Sequence, residues 1–164
     1  MVKLKLATKE DFNFFFELKS EDYGIYWGGH EGKPDREKLR RYFFDILEQQ
    51  NQKKGKRIYI IYDASEKIGH LNIYPDGNES FNMPIQISEQ KRGHGRAVKA
   101  LQLGFKEAKK LGFTKFVERI REDNIASITV YSRCGVHVDH EDYILRFIPT
   151  LNREVKMYRF FKAL

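Results

Sequence analysis

One segment of the sequence, residues 85 to 112, constrains the fold more than any other. It begins with the apolar stretch Ile85-Gln86-Ile87, which predicts a short strand, and continues through a polar loop that contains Gly93 and Gly95. After the loop, apolar residues recur at helical spacing, at Val98, Leu101, Phe105 and Ala108. Gly112 is placed to end that helix. A strand that runs through a glycine loop into an amphipathic helix predicts a domain in which helices pack on a sheet.

The loop of this segment is predicted to bind phosphate. The first N–H groups of a helix have no partner within the helix and lie at the positive end of its dipole. Gly93 and Gly95 allow a ligand to approach those groups closely. Side chains that add positive charge or donors are Lys91, Arg92, His94 and Arg96. The glycines alone also fit a tight turn without a ligand, so the prediction needs a second observation.

Two common nucleotide-binding loops do not match this segment. A dinucleotide-binding fold requires GxGxxG after its first strand, whereas Val98 occupies the third glycine position and several predicted strands precede the loop. A Walker A loop requires Gly-Lys followed by Ser or Thr, which the sequence lacks. The loop therefore belongs to neither class.

The rest of the chain alternates predicted strands and helices. Strands are predicted at residues 2–6, 58–62, 68–74, 80–87, 113–120, 136–148 and 154–161. Helices are predicted after Thr8, from Asp35 to Gln49, at 97–111 and at 125–133, the last capped by Asp123 or Asn124. Residues 23–34 are predicted to form an irregular loop with aromatic anchors. This order predicts an α/β or α+β domain with a mixed sheet.

Composition narrows the class of protein. The 164 residues are 41% hydrophobic and 32% charged, which predicts one globular domain. The net charge of +7 favours anionic ligands without selecting one. Cys134 is the single cysteine, so no disulfide within the chain and no thiolate zinc cluster can form. Because the N-terminus lacks the apolar run of a signal peptide and no long apolar span occurs, we expect a cytoplasmic protein.

Two motifs resemble those of a known family. The stretch Gln90-Lys91-Arg92-Gly93-His94-Gly95 with Ala97 resembles the Q/RxxGxG/A motif of the GNAT superfamily of N-acetyltransferases. About thirty residues on, Asn124, Ser127, Tyr131 and Gly135 resemble its second motif, a short helix. Two departures are Val136, where an aromatic residue usually follows, and the bulky Arg96.

The resemblance implies a fold and a cofactor. Residues 1–164 would form one acyl-CoA N-acyltransferase domain, with about four helices around a mixed, mostly antiparallel sheet of six to seven strands that splays between strands four and five. The implied acyl donor is acetyl-CoA, with no metal. Its implied contacts are the backbone near Ile85 and Ile87, the loop residues Gln90, Lys91, Arg92, Gly93, His94, Gly95, Arg96 and Ala97, and Asn124, Ser127 and Tyr131. Asn124 could equally cap its helix.

The resemblance also implies direct transfer of the acetyl group to an amine within a ternary complex. Tyr131 is predicted to be the general acid, since a phenol can protonate the departing thiolate; the alternative is a core aromatic residue. Glu79 is the first candidate for the general base, resembling the catalytic glutamate of the histone acetyltransferase branch, although a solvated charge at a strand end is an alternative. Glu118 and Glu89 are weaker candidates, and backbone carbonyls with water could also suffice.

The acceptor is predicted to be a small-molecule or peptide amine that contacts the first loop through Tyr23, Tyr26 and Trp27. The nearby acids Glu21, Asp22 and Glu31 suit a cationic amine, while a hydrated loop with a hydrophobic anchor is the alternative. We expect no membrane partner, no nucleic acid, and a monomer or homodimer.

Other classes of protein were weighed. A basic module that binds nucleic acid or protein, and an acyl-CoA binder without catalysis, both stay open as alternatives. A metal site at His137, Asp139, His140, Glu141 and Asp142 is disfavoured, because alternation along a strand would divide these residues between two faces. Cys134 is predicted to fill the core rather than act as a nucleophile.

Overall fold

The computed structural model describes residues 1–164 as a single α/β domain with eight strands and five α-helices. The strands are β1 (Val2–Leu6), β2 (Arg57–Asp63), β3 (Glu66–Asp76), β4 (Ser80–Asn82), β5 (Ile85–Ile87), β6 (Lys115–Arg121), β7 (His137–Ile148) and β8 (Arg153–Ala163). The helices are α1 (Phe12–Lys19), α2 (Asp22–Gly28), α3 (Arg36–Gln49), α4 (Arg96–Lys110) and α5 (Ile125–Arg133). None of these helices is both long enough and apolar enough to cross a bilayer.

The sheet has the order β1-β2-β3-β4-β6-β8-β7, and β5 pairs with β3 alone. The β4–β6 pair is parallel and spans only Ser80↔Lys115 and Phe81↔Phe116; all other pairs are antiparallel. Beyond this short pair the chain turns away from β6, and a gap separates β5 from β6. The predicted mixed sheet and its opening are therefore confirmed.

The predicted strand at 80–87 is two strands, which brings the total to eight rather than six or seven. It is interrupted at Met83 and Pro84, and proline has no N–H to donate to a strand ladder. The other predicted strands begin and end within two residues of the observed ones. The interruption creates the gap, because it releases β5 from β6 while leaving it hydrogen-bonded to β3.

The prediction of an irregular loop at residues 23–34 is wrong for its first part, because these residues form helix α2. Glycines there suggested a breaker, but Gly24 lies inside the helix. A Cβ built on Gly24 would lie 2.9 Å from Nε2 of Gln86, so a larger residue here would have to displace the end of that side chain. The helix ends at Gly29, whose φ of 71° is the left-handed conformation common at helix ends.

Two apolar clusters cover opposite faces of the sheet. Along β2, Tyr59 and Ile61 join the larger cluster beneath α4, whereas Ile58 and Ile60 join the smaller cluster beneath α1 and α3. This alternation follows from the period of a strand, whose successive side chains point to opposite faces. Packing on both faces holds α1 and α4 on either side of the gap.

The start of α3 provides a local test of stability. Asp35 is the N-cap, and its side chain accepts a hydrogen bond from the N–H of Lys38 at 2.9 Å. We expect Asp35→Ala to cost about 1 kcal/mol of unfolding free energy, because that N–H loses its partner. Asp45→Ala, an exposed change within the same helix, is the control and should change stability little. Urea melts of the two variants measure the difference; equal midpoints would contradict a capping role.

Candidate functional site

Two clefts meet at the gap between β5 and β6. The first, of about 310 Å³, lies between β5, the loop after it, and helices α4 and α5. The second, of about 250 Å³, lies between α1, α2, β5 and β6. Residues that line both clefts are Tyr23, Ile85, Gln86, Ser127 and Tyr131. A group bound in one cleft can therefore contact a group bound in the other.

The loop of the first cleft has an unusual backbone. Gly93, His94 and Gly95 all have positive φ, at 87°, 58° and 70°. None of the three donates a backbone hydrogen bond within the chain. A Cβ at either glycine would meet nothing within 4 Å, so open space surrounds this backbone. Because α4 begins directly afterwards, the unpaired N–H groups and the helix dipole together make an anion site.

Arg92 places a positive charge beside this loop. Its guanidinium lies 3.4 Å from the centroid of the Tyr23 ring, and its Nε donates to the Ile87 carbonyl at 3.2 Å. One of its terminal nitrogens is enclosed by the protein and lies 3.8 Å from the Glu21 carboxylate. Arg92 lines the first cleft, where its charge favours an anion.

Arg96 lines the first cleft but already has a carboxylate partner. Its Nε donates to Asp63 at 2.8 Å. This hydrogen bond and a second one from the N-terminal amine lower the pKa of Asp63 to about 2. Of the predicted loop contacts, residues 92–97 line the cleft. Gln90 and Lys91 do not, since Gln90 is exposed and the Lys91 ammonium lies 2.8 Å from Glu66.

The backbone of β5 offers hydrogen-bonding groups to the first cleft. The residues that flank β5 on either end form backbone hydrogen bonds with β3. The Pro84 carbonyl accepts from the Asn72 N–H at 3.0 Å, and the Ser88 N–H donates to the Ile68 carbonyl at 2.7 Å. Alternation along an antiparallel strand then points the N–H and C=O of Ile85 and Ile87 into the gap. Both residues line the cleft.

Helix α5 brings Asn124, Ser127 and Tyr131 to the gap. The Oδ1 of Asn124 accepts from the Ser127 N–H at 3.2 Å, so Asn124 caps its helix, and it lines the second cleft rather than the first. Tyr131 is 4% exposed, and its hydroxyl donates to the Met83 carbonyl at 2.7 Å. Burial, together with the nearby Glu118 and Cys134, holds the pKa of Tyr131 well above its usual value, so the phenol stays protonated.

The structure separates the two glutamates considered as a base. Glu79 lines neither cleft; its side chain is 64% exposed and lies 3.6 Å from Lys115, at the end of β4 away from the gap. Glu118 lies two residues beyond the last β4–β6 pair and lines the second cleft. Its carboxylate accepts from the N–H groups of Met83 at 3.3 Å and Arg119 at 3.2 Å. Burial raises its pKa to about 7.

The predicted acceptor residues divide between the clefts and the surface. Tyr23 lines both clefts and Trp27 lines the second, whereas Tyr26 is 42% exposed and lines neither. The acids expected beside them are not in the second cleft. Glu21 bonds the Ser88 hydroxyl at 3.0 Å on the side of the phosphate loop, and Asp22 and Glu31 are exposed.

Sequence reasoning missed several residues of the second cleft, namely Lys19, His70, Arg119 and Arg121. They come from α1, β3 and β6, and no local motif joins them. Only the alternation of β6 could have indicated that residues 119 and 121 share a face, two positions apart. Their convergence with Lys19 and His70 depends on how α1 packs against the sheet.

The acidic and histidine residues of β7 have other partners. Asp142 binds Arg119 at 2.7 Å, and Asp139 accepts from the N–H of Glu141 at 3.0 Å. No group of three or more such side chains converges anywhere in the structure. Cys134 is partly buried, and burial raises the pKa of its thiol.

The family model and the solved structures described here are those of acetyltransferases. A family model described as an acetyltransferase (GNAT) domain matches residues 2–137. A spermidine N-acetyltransferase from Vibrio cholerae, solved with CoA and spermine, superposes with a TM-score of 0.84 at 16% identity, over 99% of this chain and 95% of that one. A ribosomal-protein-alanine N-acetyltransferase from Brucella melitensis gives 0.80 at 16% identity, over 99% of each chain. A search of curated proteins found no match.

Proposed function

Because the chain belongs to the GNAT acetyltransferase family, we propose that it transfers the acetyl group of acetyl-CoA to a primary amine by direct attack within a ternary complex. The observation that carries the proposal is the meeting of two clefts at one gap in the sheet, one with an anion-binding loop and the other with a perturbed carboxyl group. A cofactor in the first cleft and an acceptor in the second would touch at Tyr131.

The residues of the first cleft fit acetyl-CoA. The N–H groups of residues 93–95 would hold the pyrophosphate, beside the positive charge of Arg92. The backbone of Ile85, which has no partner within the chain, would pair with the amides of the pantetheine arm. When bound, the cofactor supplies an acetyl group activated as a thioester.

Two side chains at the gap can move the protons. A new bond forms between the amine nitrogen and the acetyl carbon, while the bond between that carbon and sulfur breaks. Glu118 would accept the proton that the amine loses, directly or through one water. Tyr131 would give its proton to the departing sulfur after its hydroxyl rotates away from the Met83 carbonyl. Proton exchange with water would then take the proton from Glu118 and return one to Tyr131, so that both side chains regain their starting states. Met83 holds both groups, since its N–H bonds Glu118 and its carbonyl bonds Tyr131.

Glu118 replaces Glu79 as the proposed base for two reasons. Glu118 lines the second cleft, whereas Glu79 lies on the surface beside Lys115. A base works best when its pKa is near the working pH, and burial raises the pKa of Glu118 to about 7.

Thermal melts with and without acetyl-CoA test the cofactor. At about 100 times its dissociation constant, a ligand adds roughly 2.7 kcal/mol, which should raise the Tm of a domain of this size by about 5 to 10 °C. Gly95→Trp should abolish the shift, because the bulky side chain would fill the space above the loop. An unchanged Tm in the wild-type protein would contradict the proposal.

Gly77→Trp is the matched control for this experiment. Gly77 also has a positive φ, 80°, and also has open space around its Cβ position, but it lies in the β3–β4 turn away from both clefts. Its variant bears the same backbone strain and should keep the full shift. Product detection by mass spectrometry then separates an enzyme from a silent binder, since a silent binder would show the shift without acetylated amine.

A further inference from the structure

Four lysine, arginine and glutamate side chains line the second cleft: Lys19, Glu118, Arg119 and Arg121. Three of them have partners within the protein. Arg119 binds the Asp142 carboxylate at 2.7 Å, and the Glu118 carboxylate accepts two backbone N–H groups. Arg121, only 3% exposed on its side chain, binds Asp123 through two nitrogens at 3.1 and 2.9 Å.

Lys19 is the exception. It is the last residue of α1, and its ammonium forms no ion pair and no hydrogen bond within the chain; its one close aromatic contact is the Phe15 ring, 5.5 Å away. Burial alone lowers its pKa to about 8, and no nearby carboxylate offsets that effect. A half-buried ammonium without a counterion is unfavourable unless a ligand supplies the negative charge.

His70 lies beside Lys19 and presents a second unpartnered group. It is 1% exposed and lines the second cleft; its Nε2 is enclosed near the Gln86 side chain and makes no hydrogen bond of normal geometry. The Asn72 amide donates through Nδ2 to the Tyr74 hydroxyl at 2.7 Å, so its Oδ1 faces Nδ1 of His70, at 3.0 Å. Nδ1 therefore carries the proton of a neutral ring, and Nε2 is left as an acceptor.

We propose that the acceptor amine of the second cleft carries a carboxylate a few bonds from the reacting nitrogen, as an amino acid does, and that Lys19 binds this carboxylate. This inference rests on the proposed function and names its substrate class. His70 Nε2 accepts a hydrogen bond from the acceptor's ammonium group, and Glu118 takes the proton that the amine must lose. A zwitterion therefore satisfies Lys19, His70 and Glu118 together.

A polyamine fits the same cleft poorly. It would bring several positive charges towards Lys19, while the cleft's only carboxylate, Glu118, is about half protonated near pH 7 because its pKa is about 7. The carboxylates of Asp123 and Asp142 are already bound to arginines. The unpaired ammonium of Lys19 therefore disfavours binding of polycations in the second cleft. Spermidine, the substrate named for the Vibrio cholerae enzyme, is therefore the informative comparison.

The test compares three kinds of acceptor with the full-length protein and acetyl-CoA: the common amino acids, their carboxamides and spermidine. We expect the best amino acid to exceed its carboxamide in kcat/KM, and Lys19→Met to reduce that preference by about 10- to 100-fold, since hydrogen bonds to charged groups are among the strong ones. Lys106→Met removes an exposed lysine of α4 and should leave the preference intact. Faster turnover of spermidine or of the carboxamides would overturn the inference while leaving the acetyltransferase proposal standing.

A second measurement does not depend on turnover. The ¹³Cε resonance of Lys19, identified by its loss in Lys19→Met, reports the pKa of the ammonium by NMR titration. An equimolar mixture of the common amino acids should raise that pKa, because a bound carboxylate favours the protonated form. An unchanged pKa would overturn the inference. The Tm shift with acetyl-CoA, measured on the same sample, shows separately whether the first cleft is functional.

Discussion

Glu118→Gln should lower kcat by about 100- to 10,000-fold, the range in which general base catalysis contributes. The amide keeps the shape of the side chain but cannot take a proton from the acceptor. In the wild-type protein, kcat/KM should rise with pH through about 7, where Glu118 becomes ionised. The variant should lose that inflection. Steady-state kinetics between pH 5.5 and about 9 provide the measurement.

Glu79→Gln is the control for this experiment, because it removes the other candidate carboxylate without touching either cleft. We expect its kinetics to match those of the wild-type protein. A large loss of kcat in Glu79→Gln, with normal kinetics in Glu118→Gln, would identify Glu79 as the base and would contradict the proposed mechanism.

The ionisation of Glu118 should change the free energy of unfolding with pH in the opposite direction to its effect on activity. Its folded pKa of about 7 lies above the ordinary glutamate value of 4.5, so between these pH values the folded protein binds more protons than the unfolded chain. Stability therefore falls as the pH rises through that window. Glu118→Gln should remove this contribution and leave the variant relatively more stable at pH 8, while it is far less active. Denaturant melts at several pH values measure the difference.

Tyr131→Phe should lower kcat by about 100-fold or more, because the departing thiolate loses its proton donor. The dissociation constant of acetyl-CoA should change little, since the aromatic ring remains in place. Removing the hydroxyl also leaves the Met83 carbonyl without its partner, and a buried unpaired acceptor costs about 1 to 3 kcal/mol. Kinetics should therefore be measured well below the Tm of the variant.

Tyr42→Phe controls for the loss of a hydrogen-bonded phenol elsewhere in the protein. The Tyr42 hydroxyl bonds the Tyr74 hydroxyl, and Tyr42 lines neither cleft. Its variant should keep a normal kcat. If Tyr131→Phe also kept a normal kcat, Tyr131 would be a core aromatic residue, and water would be the remaining source of the proton.

Prediction from the sequence succeeded where the physical cause is local. The glycine loop before α4 and the cap of α5 depend on residues a few positions apart, so their patterns indicated both the anion site and the helix. Helix α2 was missed because Gly24 resembles a helix breaker, although it lies inside the helix and packs close to the Gln86 side chain. Glu79 was preferred over Glu118 because spacing along a strand does not tell which end of that strand faces the opening.

The sequence alone was sufficient to identify most strands and helices in their order, the glycine loop before α4 and the family resemblance. Those features rest on backbone dihedrals, strand and helix periods and helix caps, all of which act over a few residues. The acceptor cleft needed the tertiary structure, since α1, β3 and β6 bring Lys19, His70 and Glu118 to one gap from distant parts of the chain. The perturbed pKa values arise from burial, and burial exists only once those elements pack together.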